Sequence, residues 1–187
     1  MEERQELTVV GLSHSSSMAG CFVLVLEALN TQQRLPIIIG EAEAQAIAIT
    51  MEGMQSPQPI THDLLKNIID ELGAKLKEVV IYEMQQDVFH TQLIVQTREK
   101  EQLVIPARCS DAVALAVRAQ TPIYSFDSIL SLATIDRSFT PEKVKRGSLQ
   151  AYSVQELQEI LERLLAKEDY KSAARIRDLI EKRKPGA

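Results

Sequence analysis

Apolar and β-branched residues crowd two early stretches, 7–13 (LTVVGLS) and 20–29 (GCFVLVLEAL), separated by an interval of Ser, His and Gly. That density of strand formers, with a loop between, predicts two paired strands. The run 34–39 (RLPIII) predicts a third. Pro36 has no N–H to give to a ladder, which places this strand at an edge or beside a bulge. The period then changes. Over 41–52, Ala42, Ala46 and Ile49 recur along one stripe and predict a helix whose small residues allow close packing on a sheet. Thr61 is the expected N-cap of a second helix, in which Leu64, Leu65, Ile68, Ile69 and Leu72 repeat at helical spacing before Gly73 closes the end. Residues 75–84 and 88–97 alternate as strands about a turn at 85–87, and 102–106 continues the meander. Ser110 is expected to cap a helix over 111–119 (DAVALAVRA), apolar nearly all round and therefore covered on most sides. A short strand (122–126) and a short helix (127–132) follow.

From 133 to 151 the periodicity lapses and Lys143, Lys145 and Arg146 gather beside Gly147, as in a linker. Beyond it, Ser153 and Glu156 have the spacing of a capping box, and Leu157, Ile160, Leu161, Leu164 and Leu165 form an apolar face. A further helix, near 169–182, carries Tyr170, Ala173, Ala174, Arg177 and Ile180 on one stripe, which completes an αα-hairpin. So short a unit seldom stands alone and is expected to dock on something. The predicted fold class is α/β (α+β): a mixed, largely antiparallel sheet packed with helices over 1–133, a linker over 134–151 and a helical hairpin over 152–187.

Composition narrows the function. At 187 residues, 45% hydrophobic and 25% charged, the chain can bury a core, which excludes global disorder and a large multidomain machine. Aromatics make up 4% with no Trp, which argues against a surface that stacks single-stranded bases on rings. The net charge is -5, so any contact with a polyanion must be local. Residues 152–187 hold eight bases and seven acids, so the acidity belongs to the first unit. The longest strictly apolar run, Cys21–Leu26, is far too short for a bilayer span, and the first residues lack a basic-then-apolar leader. The expectation is a cytoplasmic protein with no membrane partner. Cys21 and Cys109 stand far apart with no CxxC or Cys/His spacing, which suits a reducing compartment and argues against zinc.

Three ordered stretches, LPIIIGEAEA (35–44), PITHDLL (59–65) and ARCSDAVALAVR (107–118), resemble the bifunctional nuclease family, also called the domain of unknown function 151. The resemblance runs over residues 7–132. It departs from the usual third motif, which has Asp where Pro106 stands and Pro where Cys109 stands, so one carboxylate is missing from the implied site. The stretch KEDYKSAARIRD (167–178) resembles the UVR motif, the helical hairpin through which the excision-repair proteins UvrB and UvrC associate. Together the resemblances imply a compact α/β domain that forms a homo-oligomer, nuclease activity on DNA or RNA, and a UVR-motif protein as a possible partner of the hairpin. Tyr170, Ala173, Ala174, Arg177 and Asp178 are the candidate partner-binding residues, small side chains rimmed with charge.

Phosphodiester hydrolysis needs an activated water, neutralisation of the phosphoryl oxygens and help for the leaving group, commonly from a divalent metal on carboxylates. Glu41, Glu43, Asp63 and Asp111 are the candidate ligands for magnesium or manganese, each in the first turn of a predicted helix. His62 is the candidate general base, and Asp63 and Asp111 are the candidate catalytic carboxylates. Arg108 and Arg118 are candidates for phosphate, and Ser110, at a helix start, adds an anion contact. A plain alternative stands next to this one. Acids in a first turn are favoured by the helix dipole by about 0.3–1 kcal/mol each, and Arg118 complements the opposite end, without any function. On that reading the chain is a non-catalytic oligomeric scaffold, or an anion-binding regulatory module, that recruits a partner through its hairpin. Ser13 and His14 with Ser15, Ser16 and Ser17 read as loop rather than triad, and Cys109 as a packing residue. GxGxxG, P-loop and HExxH patterns are absent from the sequence.

Overall fold

The computed structural model describes residues 3–15, 18, 20–54, 58–133, 152–166 and 170–183. Seven strands form one sheet: β1 (Arg4–His14), β2 (Cys21–Ala28), β3 (Arg34–Gly40), β4 (Lys75–Gln85), β5 (Val88–Gln96), β6 (Gln102–Arg108) and β7 (Ile123–Phe126). The helices are α1 (Glu41–Met51), α2 (Thr61–Glu71), α3 (Cys109–Ala119), α4 (Asp127–Ala133), α5 (Val154–Ala166) and α6 (Tyr170–Glu181). Strand order is β3-β2-β1-β7-β4-β5-β6. β4 and β7 pair in parallel, and the other neighbours pair antiparallel. The expected mixed, largely antiparallel sheet with helices is therefore the fold.

Both outer strands carry a proline, Pro36 in β3 and Pro106 in β6, where a missing N–H costs no ladder bond. β2 is buried at nearly every position. Phe22, Leu24 and Leu26 enter the main core with Leu12, Leu35, Ile47, Ile81 and Val113, while Val23 and Val25 alternate onto the other face with Val10. The turn between β4 and β5 places Gln86 and Asp87 at φ 48° and 62°, the left-handed pair that a two-residue hairpin turn demands.

Several boundaries move. β1 runs through His14, beyond the strand expected over 7–13, because Ser13 and His14 pair with Val23 and Phe22. The N-cap of α2 is Ile60 rather than Thr61, and its N–H donates to Asp63 Oδ2 at 3.0 Å. α3 starts at Cys109 with Arg108 as its N-cap, so Ser110 is the second helical residue and caps nothing. Gly73, at φ 68°, closes α2 as anticipated. The leucine and isoleucine stripe of α2 does not enter the core: Leu64, Leu65, Ile68 and Leu72 are all exposed, and His62 is the buried residue of this helix.

The hairpin of α5 and α6 docks on the sheet unit. Tyr152, Leu157, Ile160, Ile176 and Ile180 belong to the same hydrophobic cluster as the strands. Its capping box is formed in both directions, Ser153 N–H to Glu156 Oε2 at 2.7 Å and Glu156 N–H to Ser153 Oγ at 3.2 Å. The linker expected over 134–151 lies outside the described residues. No helix of the described residues is long and apolar enough to cross a membrane.

Candidate functional site

The edge strand β6 passes into α3 without a loop, so Arg108 stands at the strand's end over the first turn of the helix. Its side chain is 72% exposed, yet it is held by two carboxylates. Nε donates to Asp111 Oδ2 at 2.8 Å, and Nη2 donates to Glu43 Oε1 at 3.0 Å and to Asp111 Oδ1 at 3.2 Å. The hydrogen bond and charge of Asp111, then the charge of Glu43, push the guanidinium's pKa up. Glu43 comes from the first turn of α1, which follows β3 just as α3 follows β6. Gly40, between β3 and α1, leaves room for that carboxylate: a Cβ at this position would meet Glu43 Oε2 at 2.6 Å.

Behind Asp111 lies His62, 7% exposed, with Nε2 at 3.4 Å from Asp111 Oδ1. Two strand-to-helix turns and the start of α2 thus bring Glu43, Arg108, Asp111 and His62 into one chain of contacts. Asp111, one-third exposed, fronts this chain, and the imidazole sits behind it. The general base expected at His62 is consequently the buried partner of the carboxylate that solvent reaches.

Asp63 and Arg118 form a second, separate pair. Arg118 Nε donates to Asp63 Oδ1 at 2.7 Å, and Nη1 donates to the Ala114 carbonyl at 3.2 Å. With 4% of its side chain exposed, Arg118 faces the protein rather than a ligand in solution. Glu41 lies on the hairpin side of α1, where its charge, together with that of Glu156, adds to the burial that raises the pKa of the Tyr152 phenol. Ser110 is half-buried. The four carboxylates expected to share a metal are therefore divided among three environments. Among the described residues, no three His, Cys, Asp or Glu side chains gather as a group that could hold a metal ion. Where Glu43 and Asp111 do meet, the cation between them is the Arg108 guanidinium, so the donor set as arranged does not fit a resident ion.

Cys109 is buried beside Thr91, and desolvation pushes its thiol up to about 12, which keeps it protonated and unreactive at neutral pH. Of the candidate partner face, Ala173 is buried and Ala174 half-buried, whereas Tyr170, Arg177 and Asp178 are exposed, the last two as an ion pair at 2.9 Å. Two residues outside the candidate site, His14 and Arg175, fasten the hairpin. His14 Nε2 meets Glu156 Oε2 at 3.0 Å and its ring lies 4.5 Å from that of Phe22. Arg175 Nη1 donates to the carbonyls of Glu52 and Gly53 at the end of α1, at 2.6 and 3.0 Å. The available signal was Glu156, whose place in a capping box identified a carboxylate with spare acceptor capacity.

Residues 24–138 match the family model described as the bifunctional nuclease domain, and the chain belongs to that family. The relatives it resembles include Uncharacterized protein MT1877 and Uncharacterized protein Rv1829 of Mycobacterium tuberculosis, each 42% identical over 111 residues, 59% of this chain and 65% of the relative. Bifunctional nuclease 1 of Oryza sativa subsp. indica is 26% identical over 91 residues, 48% of this chain and 28% of that protein. The chain thus spans about two thirds of the mycobacterial relatives and little more than a quarter of the rice protein.

Proposed function

We propose that this chain hydrolyses phosphodiester bonds in DNA or RNA at the Glu43–Arg108–Asp111–His62 cluster. The observation that carries the reading is Arg108, a solvent-facing guanidinium held in fork geometry by two carboxylates at the mouth of the site. A phosphodiester arriving there offers Arg108 anionic oxygens in place of Asp111 and Glu43. The exchange does two things at once: it neutralises the phosphoryl group and frees the carboxylates. Asp111, oriented from behind by His62, then takes a proton from a water whose oxygen attacks phosphorus as the ester P–O bond breaks, and the leaving oxygen takes its proton from solvent. A divalent ion would need Glu43 and Asp111, which Arg108 already engages. No step of the reading runs through it.

The test is cleavage of single- and double-stranded DNA and RNA by the full chain, with magnesium, with manganese and with EDTA. Arg108→Ala and Asp111→Asn are each expected to lower the rate by about 10²–10³-fold, the usual cost of removing one preorganised electrostatic group. Cleavage that persists in EDTA supports the guanidinium, and cleavage strictly dependent on metal transfers the role to an ion. Equal rates in wild type and Arg108→Ala would overturn the site.

A different observation favours a second reading, the oligomeric scaffold. Leu64, Ile68 and Leu72 form an exposed row symmetric about Ile68, so a second copy of α2 running antiparallel sets Ile68 on Ile68 and Leu64 on Leu72, the self-complementarity of a two-fold contact. Sedimentation of wild type against Ile68→Asp tests it, with a fall in mass expected and an unchanged mass excluding this face. The exposed Tyr170, Arg177 and Asp178 supply the corresponding surface for a helical partner of the UVR kind. Both cysteines are free thiols, in keeping with a cytoplasmic setting.

A further inference from the structure

Arg118 lies in the last turn of α3, where a cation merely complementing the helix dipole would extend into solvent. Instead its side chain turns inward and is almost wholly buried. Burying a guanidinium requires a charged partner and hydrogen bonds, which Asp63 at 2.7 Å and the Ala114 carbonyl at 3.2 Å supply. Asp63 is in turn committed on its other side, since its Oδ2 accepts the N–H of Ile60 at 3.0 Å. One carboxylate therefore ties the first turn of α2 both to its own N-cap and to the last turn of α3. His62 is the adjacent residue in that turn, and it reaches across to Asp111, seven positions before Arg118 on α3. The exposed stripe on the opposite side of α2 adds no packing within the chain that would hold this turn in place.

We propose that Arg118, through Asp63, is a positioning residue for the site: it sets the first turn of α2 on α3 at the height that places His62 behind Asp111, and it never touches substrate. The proposal deepens the nuclease reading and rests on Asp111 as the proton acceptor. Its geometric part has a readout of its own. The chain has three histidines, His14, His62 and His90, so their imidazole signals can be followed separately by nuclear magnetic resonance.

The experiment compares full-length wild type with Arg118→Gln, Arg118→Lys and Asp63→Asn at one pH. In Arg118→Gln and Asp63→Asn the ring signals of His62 are expected to move while those of His14 and His90 stay. Arg118→Lys, which keeps a cation for Asp63, is expected to lie nearer wild type. In the cleavage assay the same two variants are expected to lose about 10²-fold in kcat with KM unchanged, as for a group displaced by about an ångström. Should Arg118→Gln fail to fold, Asp63→Asn still decides, because its amide oxygen continues to accept the Ile60 N–H. His62 signals that coincide with wild type in a folded variant, or that shift together with those of His14 and His90, overturn the proposal. A wild type that cleaves nothing removes the nuclease reading alone, and the imidazole signals still judge the positioning.

Discussion

α1 and α2 have the same length, both begin with an acid in the first turn, and both pack against α3, yet the chain treats them in opposite ways. α1 has the weaker apolar stripe and is the buried helix, its Ala44, Ala46, Ile47 and Ala48 buried as α1 packs against the sheet and α3. α2 has the clearer stripe of leucine and isoleucine and leaves it in water. Amphipathic spacing reports that a helix has a face to cover, not which surface covers it. Small residues allow α1 to approach closely on two sides, which is what a helix enclosed on several sides requires. The large side chains of α2 suit a surface that meets something else.

Four measurements test this difference between α1 and α2. The largest effect belongs to α1: Ile47→Ala, at a fully buried position, is expected to cost about 2–5 kcal/mol in urea unfolding, and a loss below 1 kcal/mol would mean that α1 is less enclosed than described. Gly40→Ala separates stability from function. The new methyl displaces the Glu43 carboxylate, a movable end, while backbone φ of -73° accepts alanine. Cleavage is expected to fall about tenfold, or about 1.4 kcal/mol of barrier. Stability should hold or rise by up to about 1 kcal/mol, because alanine restricts the unfolded chain. Parallel losses in both would refute a local effect on Glu43.

The third measurement concerns the fastening of the hairpin. Burial raises the Glu156 carboxyl, but hydrogen bonds from Ser153 and the nearby His14 outweigh it and hold the group below the ordinary value of about 4.5. A depressed folded-state value means stability that is complete above that pH and lost as the pH falls through the lower folded value. Thermal unfolding followed from pH 6 downward should therefore show an acid loss that is smaller in Glu156→Gln, and identical acid limbs would remove the carboxylate from the account. The smallest effect is the reverse of the first. Ile68→Ala on the exposed face of α2 is expected to change monomer stability by no more than about 0.5 kcal/mol, measured at concentrations too low for association. A loss of the size expected for Ile47→Ala would show that the stripe is covered within the chain.

Much of the fold was legible along the chain. Strand alternation, Gly73 at a helix end, the capping box of Ser153 and Glu156 and a proline confined to an edge are local rules, and each held because it depends on nearest neighbours alone. Asp111 and Glu43 were named as acids in first helical turns and Arg108 as a guanidinium suited to phosphate, and the tertiary fold brought the three together. What could not be read along the chain was partners. Arg118, a candidate for phosphate, pairs with Asp63; His62, a candidate base, stands behind Asp111; and Glu41 and Glu43, two residues apart, leave the helix on different sides.

What the sequence determined by itself was the alternation of periods, the sites where helices begin and the kinds of charge stationed there, all consequences of backbone geometry over a few residues. Which carboxylate meets which guanidinium, which of two amphipathic helices is enclosed, and whether the hairpin stands free or lies on α1 were decided only by the packing of distant segments. Those outcomes depend on burial and on distances across the sheet, and a charge acquires its role from the group that desolvation forces it to face.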